Sequence, residues 1–277
     1  MLPNTDPYIA IVDTPKHKKA LAATQQLVSE TDIRVLVVPL VQLYKLSPIC
    51  IVQHGEYRKH TDLDSGQIIQ DLHYRRKIQE FARHKQIPLL IRERTLLRQW
   101  ETNRWDYHRF TLDTPRRQGR NIIHQKDRYK ELGLELAPEN TEEGTLVLTQ
   151  LAWDAALLDL KGTQEDVIHR LLPDLPKPVS LKCHPLDPHK ERWQQFCENE
   201  SIEYTTQDIK HNKKKWVYAH SSTAQIEAVI GGARPIFTQP DTWMQSRTEQ
   251  ELDIVANQHW HLKELPHLWR SIYETLT

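Results

Sequence analysis

The sequence predicts two doubly wound α/β domains facing each other across a cleft, and three observations carry that prediction. Short apolar runs stop abruptly at polar residues, several times along the chain. Amphipathic stretches of helical period lie between those runs. A polar, proline-containing segment, Leu136 to Gly144, separates one alternating half from another. The expected domains are therefore residues 1–135 and 144–277. A length of 277 residues suits two domains of ordinary size.

The elements follow in order. "YIAIV", Tyr8 to Val12, is a buried strand that ends at the turn Asp13-Thr14-Pro15. Lys16 to Ser29 has helical spacing, with Leu21, Ala22 and Leu27 on one side. "IRVLVVPLV", Ile33 to Val41, is a second strand or a strand and its turn. "PICIVQHGEYR" is a strand that stops at His54-Gly55. "IIQDLHYRRKIQEFARHK" is an amphipathic helix with Ile69, Leu72, Ile78 and Phe81 inward. "IPLLIRERTLL" is a strand ending near Arg92-Glu93-Arg94. Strands that are apolar throughout, with helices between them, read as a parallel sheet covered on both faces. Arg104 to Lys130 breaks the period and mixes aromatics with arginines, as a crossing segment of loops and short strands.

The second half repeats the theme. "TLVLTQ" is a strand. "LKGTQEDVIHRLL" is a helix with Thr163 as its cap and an acidic first turn. "PVSLKCHP" is a strand and "PHKERWQQFCENE" its helix. "IEYTT" and "KWVYAHSS" are strands, "STAQIEAVIGG" a helix closed by glycine, and "RPIFTQ" a last strand. "HLKELPHLWRSIYETL" reads as a terminal helix pair.

Composition excludes several classes. Lys plus Arg equals Asp plus Glu at 37 each, so net charge selects no partner. Locally, Leu72 to Lys130 holds sixteen Lys/Arg against six Asp/Glu, a basic bias inside a neutral chain. Cys50, Cys183 and Cys197 form no CxxC and cannot all pair, which fits a reducing, cytoplasmic setting. The start of the chain lacks a signal-peptide pattern, and no apolar run reaches membrane-spanning length. Neither GxGxxG nor GxxxxGK[ST] occurs. No HExxH or Cys/His cluster marks zinc, and "DLD" at Asp62 to Asp64 is the sole near match to a metal-binding DxD.

Ligands of open α/β sheets bind beyond the carboxyl ends of the strands. In the second half those ends carry Gln150, then Lys182 and His184, then Ser221, Ser222 and Thr223. Hydroxyls at a helix mouth, with its unpaired N–H groups, suit a phosphate. They equally suit a plain N-cap. Lys182 and His184, two apart on a strand, share a side and add charge or donors. Glu227 offers a carboxylate to a ribose diol.

"SLKCHPLDP" followed by "SSTAQIEAVIGGARPIF" resembles the nucleotide-sugar half of GT-B glycosyltransferases, nearest to the capsule Kdo-transferase type and to phage-encoded, DNA-modifying glycosyltransferases. The residues that carry the likeness are Lys182, His184, Pro185, Ser221, Ser222, Glu227, Ala228, Gly232 and Pro235. It extends over roughly Gly144 to Gln239, with Gln150 and Asp154 upstream. The family often has a glycine before the Glu-Ala pair, where this chain has Gln225-Ile226. The resemblance implies a nucleotide-sugar donor (a UDP-sugar first) in the C-terminal domain, an acceptor in the N-terminal domain, and no essential metal.

Transfer needs a base for the acceptor hydroxyl. Glu93 is the first candidate, at a strand end, and an ion pair with Arg92 or Arg94 is its alternative. Asp113, Asp62 and His54 follow. Arg104, Trp105, Tyr107, His108, Arg109, Phe110, Arg116, Arg117 and Arg120 mix cations with planar rings, a combination that neutralises phosphates and stacks on bases. The leading expectation for the acceptor is therefore a 5-hydroxymethylpyrimidine in DNA. A surface glycan is the alternative, and a non-catalytic nucleic-acid-binding protein on the same scaffold is a third reading.

Overall fold

The structure, a computed structural model, describes residues 7–13, 34–54, 66–94, 107–112, 123–151, 162–220, 222–238 and 244–277. The chain divides into two compact units, Met1–Lys126 with Ala256–Thr277, and Asp127–Val255.

The first unit contains β1 (Ile9–Asp13), β2 (Val35–Pro39), α1 (Leu40–Leu43), β3 (Cys50–His54), α2 (Gly66–Lys85), β4 (Leu89–Arg94) and β5 (Tyr107–Leu112). Its sheet runs β11-β5-β4-β3-β1-β2, where β11 is the late strand His259–His261. β1 to β4 are parallel, while β5 and β11 are antiparallel to their neighbours. Alternation along each strand splits the apolar residues between two faces. Ile9, Ile11, Cys50, Val52, Leu90 and Phe110 pack with Trp260 and with Leu265, Leu268, Trp269 and Ile272 of α8, the terminal helix Leu265–Leu276. Ala10, Val12, Ile51, Leu89 and Ile91 pack with Leu40, Leu43, Ile78, Phe81 and Ala82. Each such side chain, fully buried, stabilises the fold by about 1.5–3 kcal/mol.

The second unit contains α3 (Arg128–Glu131), β6 (Glu142–Leu148), α4 (Gln164–Leu171), β7 (Val179–Lys182), α5 (Lys190–Asn199), β8 (Glu203–Tyr204), β9 (Lys214–Ala219), α6 (Ala224–Ile230) and β10 (Arg234–Pro235). α7 (Glu249–Ala256) ends at the boundary. All five strands are parallel, in the order β10-β9-β6-β7-β8. The first strand is therefore central, and the order reverses between β6 and β9. Val147, Val179, Leu181 and Tyr218 share one core with Ile168 and Leu172 near α4 and with Trp193 and Cys197 of α5. Thr163 caps α4 as expected. Its hydroxyl accepts from the Asp166 N–H at 3.1 Å, and the Asp166 carboxylate accepts from the Thr163 N–H at 2.8 Å.

Three expectations change. The terminal segment does not stay with the second unit, because α8 carries an apolar stripe that fills one face of the first sheet. The segment is helical as read, a short 3-10 turn at Leu262–Glu264 and then α8, apart from His261, which ends the strand His259–His261; Pro266 sits in the first turn of α8, where its missing N–H is harmless. The unit boundary falls at Lys126/Asp127 rather than in the polar segment. That segment is no linker. Ala137 N–H donates to the Ile230 carbonyl at 2.8 Å, and Asn140 N–H to Gly232 at 2.9 Å. The Asn140 amide donates to the carbonyls of Asn212 and Lys214. Gly232 pays for this closeness with φ +115°, and a Cβ there would overlap the Pro138 carbonyl and Asn140 Oδ1. The expected helix at Lys16–Ser29 lies outside the described residues.

Candidate functional site

Gln150, Lys182, His184 and Ser222 stand at or just after the carboxyl ends of β6, β7 and β9, the strands on either side of the reversal of strand order. Thr149 follows β6. Its N–H donates to the Lys182 carbonyl at 3.1 Å, the last bond between the two strands, and its hydroxyl accepts from the His184 N–H at 3.3 Å. Thr149 was not picked out from the sequence, although it directly follows the apolar run. Gln150 comes next and is only 4% exposed. Its N–H donates to Gln164 Oε1 and its carbonyl accepts from Gln164 Nε2, both at 2.8 Å. Gln164, the first residue of α4, carried no sequence signal beyond following a cap.

The turn after β7 is built from side chains. Lys182 does not share a direction with the switch point, because its ammonium donates to the Thr206 carbonyl beyond the edge strand β8 at 3.0 Å. Cys183 Sγ lies 2.9 Å from the Tyr204 hydroxyl. Burial and that contact push the Tyr204 phenol above its ordinary range, and burial raises the Cys197 thiol to about 11, so both stay protonated. All three cysteines are buried free thiols. His184 Nδ1 accepts from the Leu186 N–H at 3.1 Å, which makes Nε2 the proton-bearing nitrogen of the neutral ring. Asp187 closes the turn, accepting from the His189 N–H at 2.9 Å and from Trp193 Nε1 at 3.0 Å.

Ser222 is buried beyond β9, and Ser221 lies outside the described residues. The expectation of unpaired N–H groups at the mouth of α6 is corrected for its first three residues. Ala224 donates to Ser222 Oγ, Gln225 to the Ser222 carbonyl and Ile226 to the Thr223 carbonyl. The last two are the i to i+3 bonds of a tight first turn, and the first is taken by the Ser222 hydroxyl from the position before the N-cap. Thr223 makes no side-chain cap. Glu227 is half-buried in α6. Gln225 is fully buried, and its side-chain carbonyl accepts from the Met244 N–H at 3.3 Å.

In the first unit, β3 and β4 end at His54 and at Arg92-Glu93-Arg94. Only the backbones of His54 and Glu93 are described. Glu93 lies opposite Arg109 in the β4–β5 register, and Arg92 opposite Phe110. Arg109 is 2% and Arg92 4% exposed. Burial lowers the Arg92 pKa to about 10. Arg109 was expected to touch an acceptor; inside the unit its guanidinium cannot meet a DNA phosphate. Asp62, Arg104, Trp105, Asp113, Arg116, Arg117, Arg120 and Asp154 lie outside the described residues.

Among the described residues no cluster of three or more His, Cys, Asp or Glu is arranged for a metal ion, and no helix is long and apolar enough to cross a membrane. A polar cavity of about 120 Å³ opens beside β6, β7 and β8, lined by residues such as Ser180, Glu203, Thr205, Asp208 and Lys214. It lies against the sheet rather than at the β6–β9 reversal, and it is too small for a nucleotide.

No protein-family profile matches the chain, and no curated protein does. Two solved structures are similar. The β-Kdo 2,7 transferase KpsC of Thermosulfurimonas dismutans is 12% identical, covers 98% of this chain over 100% of its own, and superposes with a TM-score of 0.51. Methanocaldococcus jannaschii UDP-GlcNAc 2-epimerase, solved with UDP-GlcNAc and UDP, is 12% identical over 97% of this chain and 100% of its own, with a TM-score of 0.32. The first of these and the two sheet topologies together give the chain the GT-B fold class.

Proposed function

We propose that this chain is a glycosyltransferase that takes its sugar from a nucleotide-sugar donor and transfers it to a hydroxyl group of a glycan. One observation carries the reading: Thr149 and His184 are bonded to each other at the carboxyl ends of β6 and β7, and Ser222 follows the parallel strand β9 on the other side of the reversal of strand order. That is where open α/β sheets take nucleotides. The Lys182-x-His184-Pro185 turn and Ser222 follow these ends, in the chain order of the resembled pattern. The full-length likeness to a Kdo transferase supports the glycan acceptor.

In such a reaction the acceptor oxygen bonds to the anomeric carbon while the bond from that carbon to the donor phosphate breaks. The electron pair leaves with the phosphate. His184, carrying its proton on Nε2, is the donor suited to the departing oxygen. The proton of the acceptor hydroxyl goes to a carboxylate or imidazole, for which Glu93, His54 and Asp113 remain the candidates. The residues Gln150, Lys182, Ser221, Ser222, Thr223 and Glu227 are assigned to the donor. Lys182 serves by holding the β8 end through Thr206 rather than by reaching the β6–β9 reversal.

Arg109 and Phe110, both expected to meet a DNA acceptor, are buried, which weighs against that acceptor. The test is an incubation with UDP- and CMP-sugars and two acceptor sets, oligosaccharides and hydroxymethylcytosine DNA, read by mass. Glycan-dependent nucleotide release with a sugar-mass gain on the oligosaccharide is expected. A gain on DNA replaces the acceptor; DNA binding with no turnover by any pair refutes the enzyme.

A further inference from the structure

We propose that Gln164 is a positioning residue that fixes the Gln150 peptide, and through it the donor site, at the carboxyl end of β6. The inference rests on the donor reading above. β6 is paired with β7 as far as Leu148 and Lys182, and the ladder's last bond is Thr149 N–H to the Lys182 carbonyl. Gln150 lies just past this ladder, and its own N–H and carbonyl are both met by one side chain. The amide of Gln164 gives one bond and takes one, each 2.8 Å long.

The chemistry needs a side chain that carries a donor and an acceptor on one planar group. Gln and Asn carry both on one side-chain amide, and Asn is one methylene short. Glu has the shape of Gln but presents two acceptors, one of which would face the Gln150 carbonyl. Gln164 is itself held rigidly. It is the first residue of α4, directly after Thr163, and the reciprocal bonds between Thr163 and Asp166 fix that turn. The line of force therefore runs from the capped helix, through Gln164, to Gln150. From there it reaches Thr149, whose hydroxyl accepts from the His184 N–H. Gln164 touches no substrate in this scheme; it fixes the peptide from which Thr149 and His184 take their places.

The test uses the full chain and the variants Gln164→Glu, Gln164→Met and Gln164→Asn, with two readouts. Amide hydrogen exchange compares Gln150 with Val147 and Leu148, and donor KM is separated from kcat. The Gln150 amide is expected to exchange about ten-fold faster in Gln164→Met and Gln164→Asn, the size that one lost hydrogen bond supports, with Val147 unchanged. Gln164→Glu keeps the acceptor for that N–H and loses only the donor to the Gln150 carbonyl. Donor KM is expected to rise by about ten-fold with kcat nearly constant. Asn should not rescue. Unchanged Gln150 exchange in Gln164→Met and Gln164→Asn overturns the clamp. Faster exchange with an unchanged KM reduces Gln164 to architecture and also overturns the proposal. Failure of the donor reading shows separately, as a wild-type chain that neither binds nor turns over any nucleotide sugar.

Discussion

In the sheet β11-β5-β4-β3-β1-β2 the guanidinium groups of Arg92 and Arg109 are taken inside the unit, whereas in β10-β9-β6-β7-β8 the charged residues keep to strand ends and margins. There Lys182 bonds the Thr206 carbonyl, and Lys214 and Lys215 pair with Glu142 and Glu143. Connectivity explains the contrast. The second sheet is wholly parallel, so every carboxyl end opens on the same side and polar groups collect in one row. The first sheet is finished by two antiparallel strands, and the start of β5 lies beside the end of β4. A residue that reads as a strand tip is thereby enclosed by a neighbour. Polar residues at strand ends thus point to a ligand only where no antiparallel strand covers them.

The largest way to separate the two regions is Trp269→Ala. The indole is fully buried in α8 and stacks edge-on to Phe110 with ring centres 5.6 Å apart. Its loss should destabilise the first unit by about 3–5 kcal/mol. Hydrogen exchange should then rise in β1 and β3 and not in β6 and β7; the reverse pattern would place the terminal helix with the wrong sheet. Next comes Gly232→Ala, which puts a Cβ against Pro138 and Asn140 at a positive φ. A loss of roughly 2–3 kcal/mol is expected, read by denaturant unfolding and confined to the second unit. A neutral outcome would mean that the 136–141 segment is loosely held after all.

The smallest effect is at the α4 cap. Thr163→Ala should cost about 1 kcal/mol. The bonds from Thr163 hold the Asp166 carboxyl below its ordinary range, first through the Thr163 N–H and then through its hydroxyl. A depressed folded pKa stabilises the fold above the unfolded value, near about pH 4, and the contribution is lost as pH falls through the folded pKa. The variant should therefore show a shallower loss of stability with acid below about pH 4. An unchanged slope would dissociate Asp166 from the cap.

Much of this was legible from residues, and the failures have physical causes. The apolar runs at β1, β3, β4, β6, β7 and β9 are buried on two faces, so their composition alone marks them. The Thr163 cap is a local motif and reads as one. β11 is three residues, His-Trp-His, held by pairing with β5, and no local pattern encodes that partner. The return of α8 to the first unit defeats any reading that assigns domains by contiguity. Arg109 was read as surface because arginine usually is, yet its strand, Tyr-His-Arg-Phe-Thr-Leu, lies between β4 and β11. In the candidate site the strand ends were readable, but the bonds were not. Gln164 resembles any solvated residue of a first helical turn, and nothing local shows that the Ser222 hydroxyl accepts from the Ala224 N–H while its own O–H remains for a ligand.

The central claim is that a nucleotide sugar lies at the ends of β6, β7 and β9. Titrating an isotope-labelled chain with UDP and with CMP, while following backbone amides, tests it most directly. The account predicts saturable shifts at Gln150, His184 and Ser222, with Arg92 and Arg109 unmoved. Shifts confined to the first unit, or none with either nucleotide, would contradict it.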